Sequence, residues 1–164
     1  MTGRLWAAAV LAVLALSAGP AQAQSGGSET IEGPASVTDG DSIEIDGRRI
    51  RLYGIDAPEF EQSCRTAAGR VWRCGQEAAA ALAGKIGSAP VTCQVRGNDG
   101  RAVAVCRQGG ADLNAWLVQQ GLALAYRYFS TDYLPEEENA RRARRGLWQG
   151  AFVKPWNWRR GKRL

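Results

Sequence analysis

Four carboxylates fall into two short segments of the chain, and their types and spacing could hold a cation. Asp39 and Asp41 lie in an Asp-Gly-Asp-Ser sequence, and Asp56 and Glu59 lie in an Ile-Asp-Ala-Pro-Glu sequence. Carboxylate oxygens completed by water are the ligands that Ca²⁺ and Mg²⁺ prefer. An Asp-Gly-Asp segment is also a common turn, because aspartate side chains accept hydrogen bonds from their own backbone. The acidic residues alone therefore leave a cation site and a pair of structural turns as alternatives.

Two arginines add a second kind of chemistry to these acidic segments. Arg51 stands between them, and Arg101 directly follows Asp99 and Gly100. A guanidinium beside a cation held by carboxylates is suited to bind a phosphodiester, because its donors match the phosphate oxygens in pairs. Each arginine by itself is typical of a charged surface, but the combination favours phosphate chemistry.

The composition restricts what else such a site could do. The chain has 164 residues, of which 45% are hydrophobic and 23% charged. These values are typical of one globular domain and exclude a disordered or collagen-like chain. The chain has no histidine, which excludes Ser-His-Asp and Cys-His catalysis and histidine-containing zinc sites. A carboxylate can accept a proton from an attacking water in its place.

The two ends of the chain differ in composition from the part between them. Residues 1–23 combine an early arginine, an apolar stretch and an Ala-Gln-Ala ending, which predicts a signal peptide. We expect a flexible leader at 24–30, a folded domain at 31–158 and a basic C-terminal tail at 159–164. The apolar stretch is shorter than a membrane span, and we expect no transmembrane segment after signal cleavage. The prediction is a secreted or periplasmic protein.

The chain contains four cysteines. Cys64, Cys74, Cys93 and Cys106 include no Cys-x-x-Cys pair, which argues against a structural zinc site. In an exported chain we expect them to form two disulfides. The predicted pairs are Cys64–Cys74 and Cys93–Cys106, the second across a hairpin.

The order of the predicted elements indicates the fold class. Residues 41–54 alternate around an Asp-Gly turn, and residues 91–106 form a second hairpin pattern around Asn-Asp-Gly. Helical patterns occupy residues 76–86, a segment that Asp112 can cap, and a segment that begins at Pro135. We therefore predict an α+β domain with a small five-stranded antiparallel OB-type β-barrel and about three α-helices.

The C-terminal part of the chain is strongly basic. Residues 139–164 contain nine basic and no acidic side chains. This asymmetry favours a polyanionic partner, either nucleic acid or an anionic membrane surface. A solvated basic tail is the alternative that composition alone leaves open.

Several segments together resemble one family, the staphylococcal nuclease or thermonuclease family. The matching segments, in the order that family has them, are residues 39–42, 50–59, 100–101, 112–118 with Gly121, 125–126 and 145–148. Each segment is weak alone, but the ordered set is specific. The resemblance extends over residues 31–158.

This resemblance implies an OB-fold nuclease that hydrolyses phosphodiester bonds of DNA and RNA with one Ca²⁺. Under it, Asp41 and Asp56 resemble the metal carboxylates, with the Ala57 carbonyl as a backbone ligand. Asp39 resembles a further acid beside the metal. The catalytic residues that it implies are Glu59, which orients or deprotonates the attacking water, and Arg51 and Arg101, which bind the phosphate.

The sequence departs from the family pattern at three places. Ser42 stands where the family commonly has threonine. The turn before Arg101 is two residues shorter and lacks a tyrosine that helps to hold a phosphate, so the reach of Arg101 is in question. Tyr126 and Tyr128 remain as residues that could stack on nucleotides, with core and rim packing as their alternative role.

Three functions remain open at this point. The leading one is a secreted or periplasmic Ca²⁺-dependent nuclease that acts as a monomer on DNA or RNA. A non-catalytic nucleic-acid-binding OB-fold module is the alternative from another class. An envelope-associated protein would explain the basic tail but not the acidic residues.

Overall fold

Most strands lie before residue 110 with one helix among them, and the other helices follow, as the sequence pattern predicts. The structure, a computed structural model, describes residues 29–164, so the predicted signal peptide and most of the leader lie outside the described residues. The strands are β1 Thr30–Gly33, β2 Ala35–Asp39, β3 Ser42–Ile45, β4 Arg48–Leu52, β5 Ile55–Asp56, β6 Cys64–Arg65, β7 Val71–Trp72, β8 Val91–Asn98, β9 Ala102–Gln108, β10 Ala111–Asp112 and β11 Leu124–Ala125. The helices are α1 Cys74–Ile86, α2 Leu113–Gln119, α3 Leu134–Arg142 and α4 Pro155–Arg159, with a short 3₁₀-helix at Gly146–Gln149.

The β3–β4 hairpin fixes the spacing of the acidic segments. Asp46 and Gly47 at its tip both have positive φ, 49° and 74°, as the turns that suit twisted hairpins require. The resulting register places Ser42 opposite Arg51. Asp41 therefore begins the hairpin beside the strand position that carries Arg51.

The main sheet is mixed, which corrects the prediction of a five-stranded antiparallel barrel. Its order is β1-β8-β9-β4-β3-β2, with β10 on β9, and β4 pairs with β9 in parallel. Among residues 29–164 no strand pairing joins β1 to β2, so the sheet does not close by hydrogen bonds. The chain passes through α1 between β4 and the β8–β9 hairpin, and this crossover lets β9 run in the same direction as β4. The α+β class is confirmed, and the arrangement is consistent with an OB-type fold.

The described residues contain four α-helices rather than three. Asp112 caps α2 as predicted, because its Oδ1 accepts a 2.9 Å hydrogen bond from the Ala115 backbone N–H. The additional helix is α4, whose five residues are too few to show a helical period in the sequence. No helix in the described range is long and apolar enough to span a membrane.

A small second core lies under the C-terminal part of the chain. Cys64, Cys74, Leu124 and Leu147 are buried together, and four aromatic side chains pack on them. Those aromatic residues are Trp72, Trp148, Phe152 and Trp156. Both predicted disulfides form, Cys64–Cys74 within this second core and Cys93–Cys106 across the β8–β9 hairpin.

The folded region begins earlier than predicted. Thr30 pairs with Gln94 at the start of β1, and the Glu29 carbonyl accepts a 2.8 Å hydrogen bond from the Val95 N–H. Because β8 extends past Cys93, it offers pairing partners to these two residues of the predicted leader.

Candidate active site

Loops and strand ends from distant parts of the chain converge on one acidic cavity of about 200 Å³. Its lining residues are Asp39, Asp41, Arg51, Ala57, Pro58, Glu59, Arg101 and Arg159. This set includes all the predicted catalytic and metal residues except Asp56. The Asp56 side chain is fully buried and contacts two of the lining arginines, Arg51 and Arg159.

The turn between β2 and β3 holds Asp41 by hydrogen bonds. The Asp41 N–H donates to Asp39 Oδ1 over 3.0 Å, so Asp39 closes the turn. Asp41 Oδ1 accepts from the Ser42 hydroxyl and Oδ2 accepts from the Ala57 N–H, each over 3.1 Å. A Cβ at Gly40 would lie 2.8 Å from Ala57 Cβ, so glycine lets this turn approach the chain after β5.

Arg51 links the two metal carboxylates that the resemblance implies. Its Nη2 lies 3.1 Å from Asp56 Oδ1 and 3.6 Å from Asp41 Oδ2. A single positively charged nitrogen is therefore close to both carboxylates, which shows that their oxygens converge. Asp56 reaches this place because β5 pairs with β11, with Asp56 opposite Leu124.

Burial dominates the electrostatics of both aspartates. Removal from water raises the pKa of Asp41 to about 7, with Arg51 lowering it and Asp39 raising it further. Burial also raises the pKa of Asp56, against the hydrogen bonds and the charge of Arg159. In both cases the main cause is the loss of hydration, which the neighbouring arginines offset only in part.

The donor set fits a hard cation only with water to complete it. Within residues 29–164, no three or more Asp, Glu or Cys side chains form a group that could hold a metal ion. The converging oxygens of Asp41 and Asp56 remain as side-chain donors, and Ala57 lines the same cavity. Oxygen ligands with several waters suit Ca²⁺ or Mg²⁺ and do not suit Zn²⁺.

Glu59 is held at the cavity rim through its backbone and its side chain. Its N–H donates to Gln62 Oε1 over 3.3 Å, and its Oε1 accepts from Arg159 Nη1 over 2.6 Å. A Cβ at Gly75 would lie 1.8 Å from the Glu59 carbonyl oxygen. Glycine is therefore needed where the start of α1 touches this segment.

Arg101 reaches the same cavity in spite of the shortened turn. Asn98 Oδ1 accepts a 2.8 Å hydrogen bond from the Gly100 N–H, and Gly100 has a φ of 95°. This tight turn places Arg101 at the start of β9, beside β4. Arg101 Nε lies 3.8 Å from Asp99 Oδ1, so its only ion pair within the described chain is with its own turn.

Two further cavities are lined by aromatic side chains. A cavity of about 240 Å³ has mainly apolar walls that include Leu52, Val103, Tyr126 and Phe129, and it shares Arg51 with the acidic cavity. A larger groove of about 710 Å³ contains Tyr126, Trp156 and Tyr128. Of the two predicted substrate tyrosines, Tyr126 therefore lies next to Arg51, whereas Tyr128 is 83% exposed and lies in the groove.

Arg159 is a site residue that sequence reasoning missed, because it was placed in the basic C-terminal tail at 159–164. It ends α4, and its guanidinium bonds to both Asp56 and Glu59. A sequence signal exists in Pro155-Trp-Asn-Trp-Arg159, where proline favours a helix start. Trp156 and Arg159 then share one face at a spacing of three residues.

Comparison with known proteins identifies the class. Residues 49–150 match the family described as "Staphylococcal nuclease homologue". The succinoglycan biosynthesis protein ExoI of Rhizobium meliloti (strain 1021) is 40% identical, over 76% of this chain and 68% of its own. Protein ParB of Escherichia coli is 35% identical, over 95% of this chain and 90% of its own. Micrococcal nuclease of Shigella flexneri is 33% identical, over 77% of this chain and 79% of its own.

The chain therefore belongs to the staphylococcal nuclease family. It is a nuclease, an enzyme that hydrolyses phosphodiester bonds. The resemblance that the sequence motifs indicated is confirmed at the level of the family.

Proposed function

We propose that this nuclease is Ca²⁺-dependent and cleaves DNA or RNA with the acidic cavity as its active site. One observation carries the proposal: Asp41 and Asp56 both approach Arg51 Nη2, within 3.6 Å, although they come from different segments. Arg51 and Arg159 offset the charge of these aspartates, and their convergence is also what a hard cation with carboxylate ligands needs. A cation beside an arginine is the arrangement that phosphate chemistry needs.

The cation would be held by Asp41, Asp56 and the Ala57 carbonyl, with Asp39 supporting Asp41 through the turn. Bound there, Ca²⁺ would offset the charge that develops on the phosphate and orient the attacking water. Ca²⁺ is favoured over Mg²⁺ because its flexible coordination tolerates irregularly spaced carboxylate and carbonyl ligands, whereas Mg²⁺ demands near-ideal octahedral geometry.

Glu59 is the residue proposed to take the proton of the attacking water. Its carboxylate lines the cavity and is 41% exposed, so water can reach it. No residue with an imidazole is present in the chain to do this instead. A carboxylate can act as general base when it lies within hydrogen-bond reach of the water.

Arg51 and Arg101 are proposed to bind the non-bridging phosphate oxygens. Arg51 is fixed on β4 between β3 and β9, and Arg101 enters from the turn before β9. Negative charge grows on these oxygens during phosphoryl transfer, so guanidinium donors bind the transition state more strongly than the substrate.

The apolar cavity beside Arg51 is proposed to receive a nucleotide base. Tyr126 and Phe129 line it, with ring centroids 5.3 Å apart. Aromatic faces bind bases without regard to sequence. Tyr128, Trp156 and Lys154 would continue the contact along the larger groove.

Export of the protein as a monomer is also proposed. The two disulfides, of which one joins the second core, support an oxidising compartment. The signal peptide predicted at residues 1–23 supports the same conclusion, either the periplasm or the medium.

The test is cleavage of single-stranded DNA by the purified, oxidised protein. Ca²⁺, Mg²⁺ and excess chelator are compared at one ionic strength, with binding measured in parallel. We expect cleavage with Ca²⁺, slower cleavage with Mg²⁺ and none with chelator. Full activity in chelator would overturn the metal proposal, and binding without cleavage under all conditions would favour the non-catalytic module.

A further inference from the structure

Arg159 makes more contacts with the acidic residues than any role in phosphate binding requires. Its Nη1 lies 2.9 Å from Asp56 Oδ1 and 2.6 Å from Glu59 Oε1, and its Nη2 lies 2.8 Å from Asp56 Oδ2. Both carboxylates are thus bound by one side chain. The pairing with Asp56 is the two-point contact in which a guanidinium binds a carboxylate best.

We propose that Arg159 is a built-in competitor of the divalent cation, which sets the Ca²⁺ concentration at which the active site loads. This inference rests on the proposed cation site at Asp41 and Asp56. Cation and guanidinium need the same lone pairs of Asp56, so one has to leave before the other binds fully.

The hydrogen bonds of Asp56 show why the two exclude each other. Its Oδ1 is shared by Arg51 and Arg159, and its Oδ2 is taken by Arg159. The side chain has no exposed surface through which a cation could approach from another direction. A cation therefore gains Asp56 only by replacing a guanidinium.

Arg159 rather than Arg51 is the group able to leave. Arg51 lies on a central strand, and its side chain is 23% exposed. Arg159 is the last residue of a five-residue helix, its side chain is 37% exposed, and residues 160–164 after it are exposed. Rotation of this one side chain frees Asp56 and Glu59 without unfolding any element.

The body of α4 stays in place during such a rotation. Gln62 Nε2 donates a 2.6 Å hydrogen bond to the Val153 carbonyl just before the helix. The ring of Trp156 lies 5.4 Å from that of Tyr126. These contacts hold the start of α4, so the guanidinium remains close and its local concentration as a competitor is high.

A competitor of this kind weakens Ca²⁺ binding, because Ca²⁺ has to displace the Arg159 guanidinium from Asp56. The enzyme would then load only where Ca²⁺ is abundant, in the range of weak extracellular sites at about 10⁻⁴ to 10⁻³ M. During synthesis and export, at low free Ca²⁺, the guanidinium would keep the carboxylates paired and the nuclease inactive.

Calorimetric titration of Ca²⁺ into the oxidised protein tests this inference without measuring activity. Arg159→Gln removes the competing charge, Arg159→Lys keeps the charge but cannot bind both Asp56 oxygens, and Arg160→Gln removes the same charge from the next residue, which is exposed. We expect Arg159→Gln to bind Ca²⁺ about tenfold more tightly than the wild type. The Ca²⁺ affinity of Arg159→Lys should lie between those of the wild type and Arg159→Gln. The Ca²⁺ affinity of Arg160→Gln should stay within about twofold of the wild type.

The possible results separate this inference from the proposed metal site. Ca²⁺ binding by the wild type with equal or weaker affinity in Arg159→Gln would overturn the competition alone. Absence of Ca²⁺ binding in every variant would overturn the metal site and the competition with it. If Arg159→Gln fails to fold, the comparison of Arg159→Lys with the wild type decides. Tighter Ca²⁺ binding by the Arg159→Lys variant supports the competition, and equal Ca²⁺ binding contradicts it.

Discussion

The side-chain amide of Gln62 joins the active-site segment to the C-terminal part of the chain. Its Nε2 donates to the Val153 carbonyl over 2.6 Å, and its Oε1 accepts from the Glu59 N–H over 3.3 Å. Gln62 is fully buried, and both of its partners are partly buried. One side chain thus sets the distance between Glu59 and the start of α4.

Replacement of Gln62 by leucine should destabilise the protein and disturb Glu59. The free energy of unfolding should fall by about 1 to 3 kcal/mol, because the partly buried Glu59 N–H and Val153 carbonyl lose their partner. Denaturant unfolding of Gln62→Leu measures this loss. Gln94→Leu, at an exposed position of β8, is the control and should change stability by less than about 0.5 kcal/mol. Equal stability of the two variants would contradict the role of Gln62.

The sequence could predict the part of the site that local register determines. Asp41 and Arg51 flank one hairpin, and the Asp46-Gly47 turn sets its pairing, so their proximity follows from the alternation of buried residues. The direction of β9 beside β4 does not follow, because a period of two residues shows which face is buried and not how strands run. Arg159 was missed for a related reason: Pro155 indicates a helix start, but the sequence does not show that this helix brings Arg159 to Asp56 from a distant part of the chain.

Loss of the Glu59 carboxylate should slow the chemical step. Glu59→Gln keeps the size of the side chain but cannot accept a proton, so kcat for DNA cleavage should fall by about 10²-fold or more. Glu61→Gln, at an exposed position two residues later, should keep the wild-type kcat. Equal rates of the two variants would place the general base elsewhere.

Because the turn before Arg101 is shortened, the two arginines proposed to bind the phosphate are compared by the loss of kcat/KM when each is replaced. Arg51→Ala should lower kcat/KM by about 10²- to 10³-fold, the scale for loss of one preorganised donor to the transition state. Arg101→Ala should also lower it strongly, because Arg101 lines the same cavity. Steady-state rates on one DNA substrate measure both. An unchanged rate in Arg101→Ala, with Arg51→Ala inactive, would show that one arginine binds the phosphate alone.

The apolar cavity beside Arg51 predicts different effects of the two tyrosines. Tyr126→Leu should raise KM for single-stranded DNA by about tenfold, since a stacked base contributes roughly 1 to 3 kcal/mol. Tyr128→Leu should raise it less, because Tyr128 is outside this cavity. Thermal unfolding of both variants controls for the contact of Tyr126 with Trp156. A larger effect at Tyr128 would contradict the assignment of the base to this cavity.

The Cys64–Cys74 disulfide should hold the C-terminal segment in place. Replacement of both cysteines by alanine should lower the free energy of unfolding by about 2 to 4 kcal/mol. It should also speed chymotryptic cleavage after Trp156, because Trp156 packs on the second core. The Cys93→Ala and Cys106→Ala pair, in the main sheet, is the control and should leave that cleavage slow. Equally slow cleavage in both double variants would contradict the claim that the Cys64–Cys74 disulfide holds the C-terminal segment in place.

The central claim is that Asp41 is a ligand of the catalytic cation, and a pair of matched substitutions tests it most directly. Asp41→Asn removes one carboxylate from the cavity, while Asp46→Asn removes one from the tip of the same hairpin, where asparagine also accepts the positive φ. Single-turnover cleavage of single-stranded DNA at saturating Ca²⁺ is measured for both variants. The account predicts a loss of about 10²-fold or more for Asp41→Asn and a wild-type rate for Asp46→Asn. A wild-type rate for Asp41→Asn would contradict it.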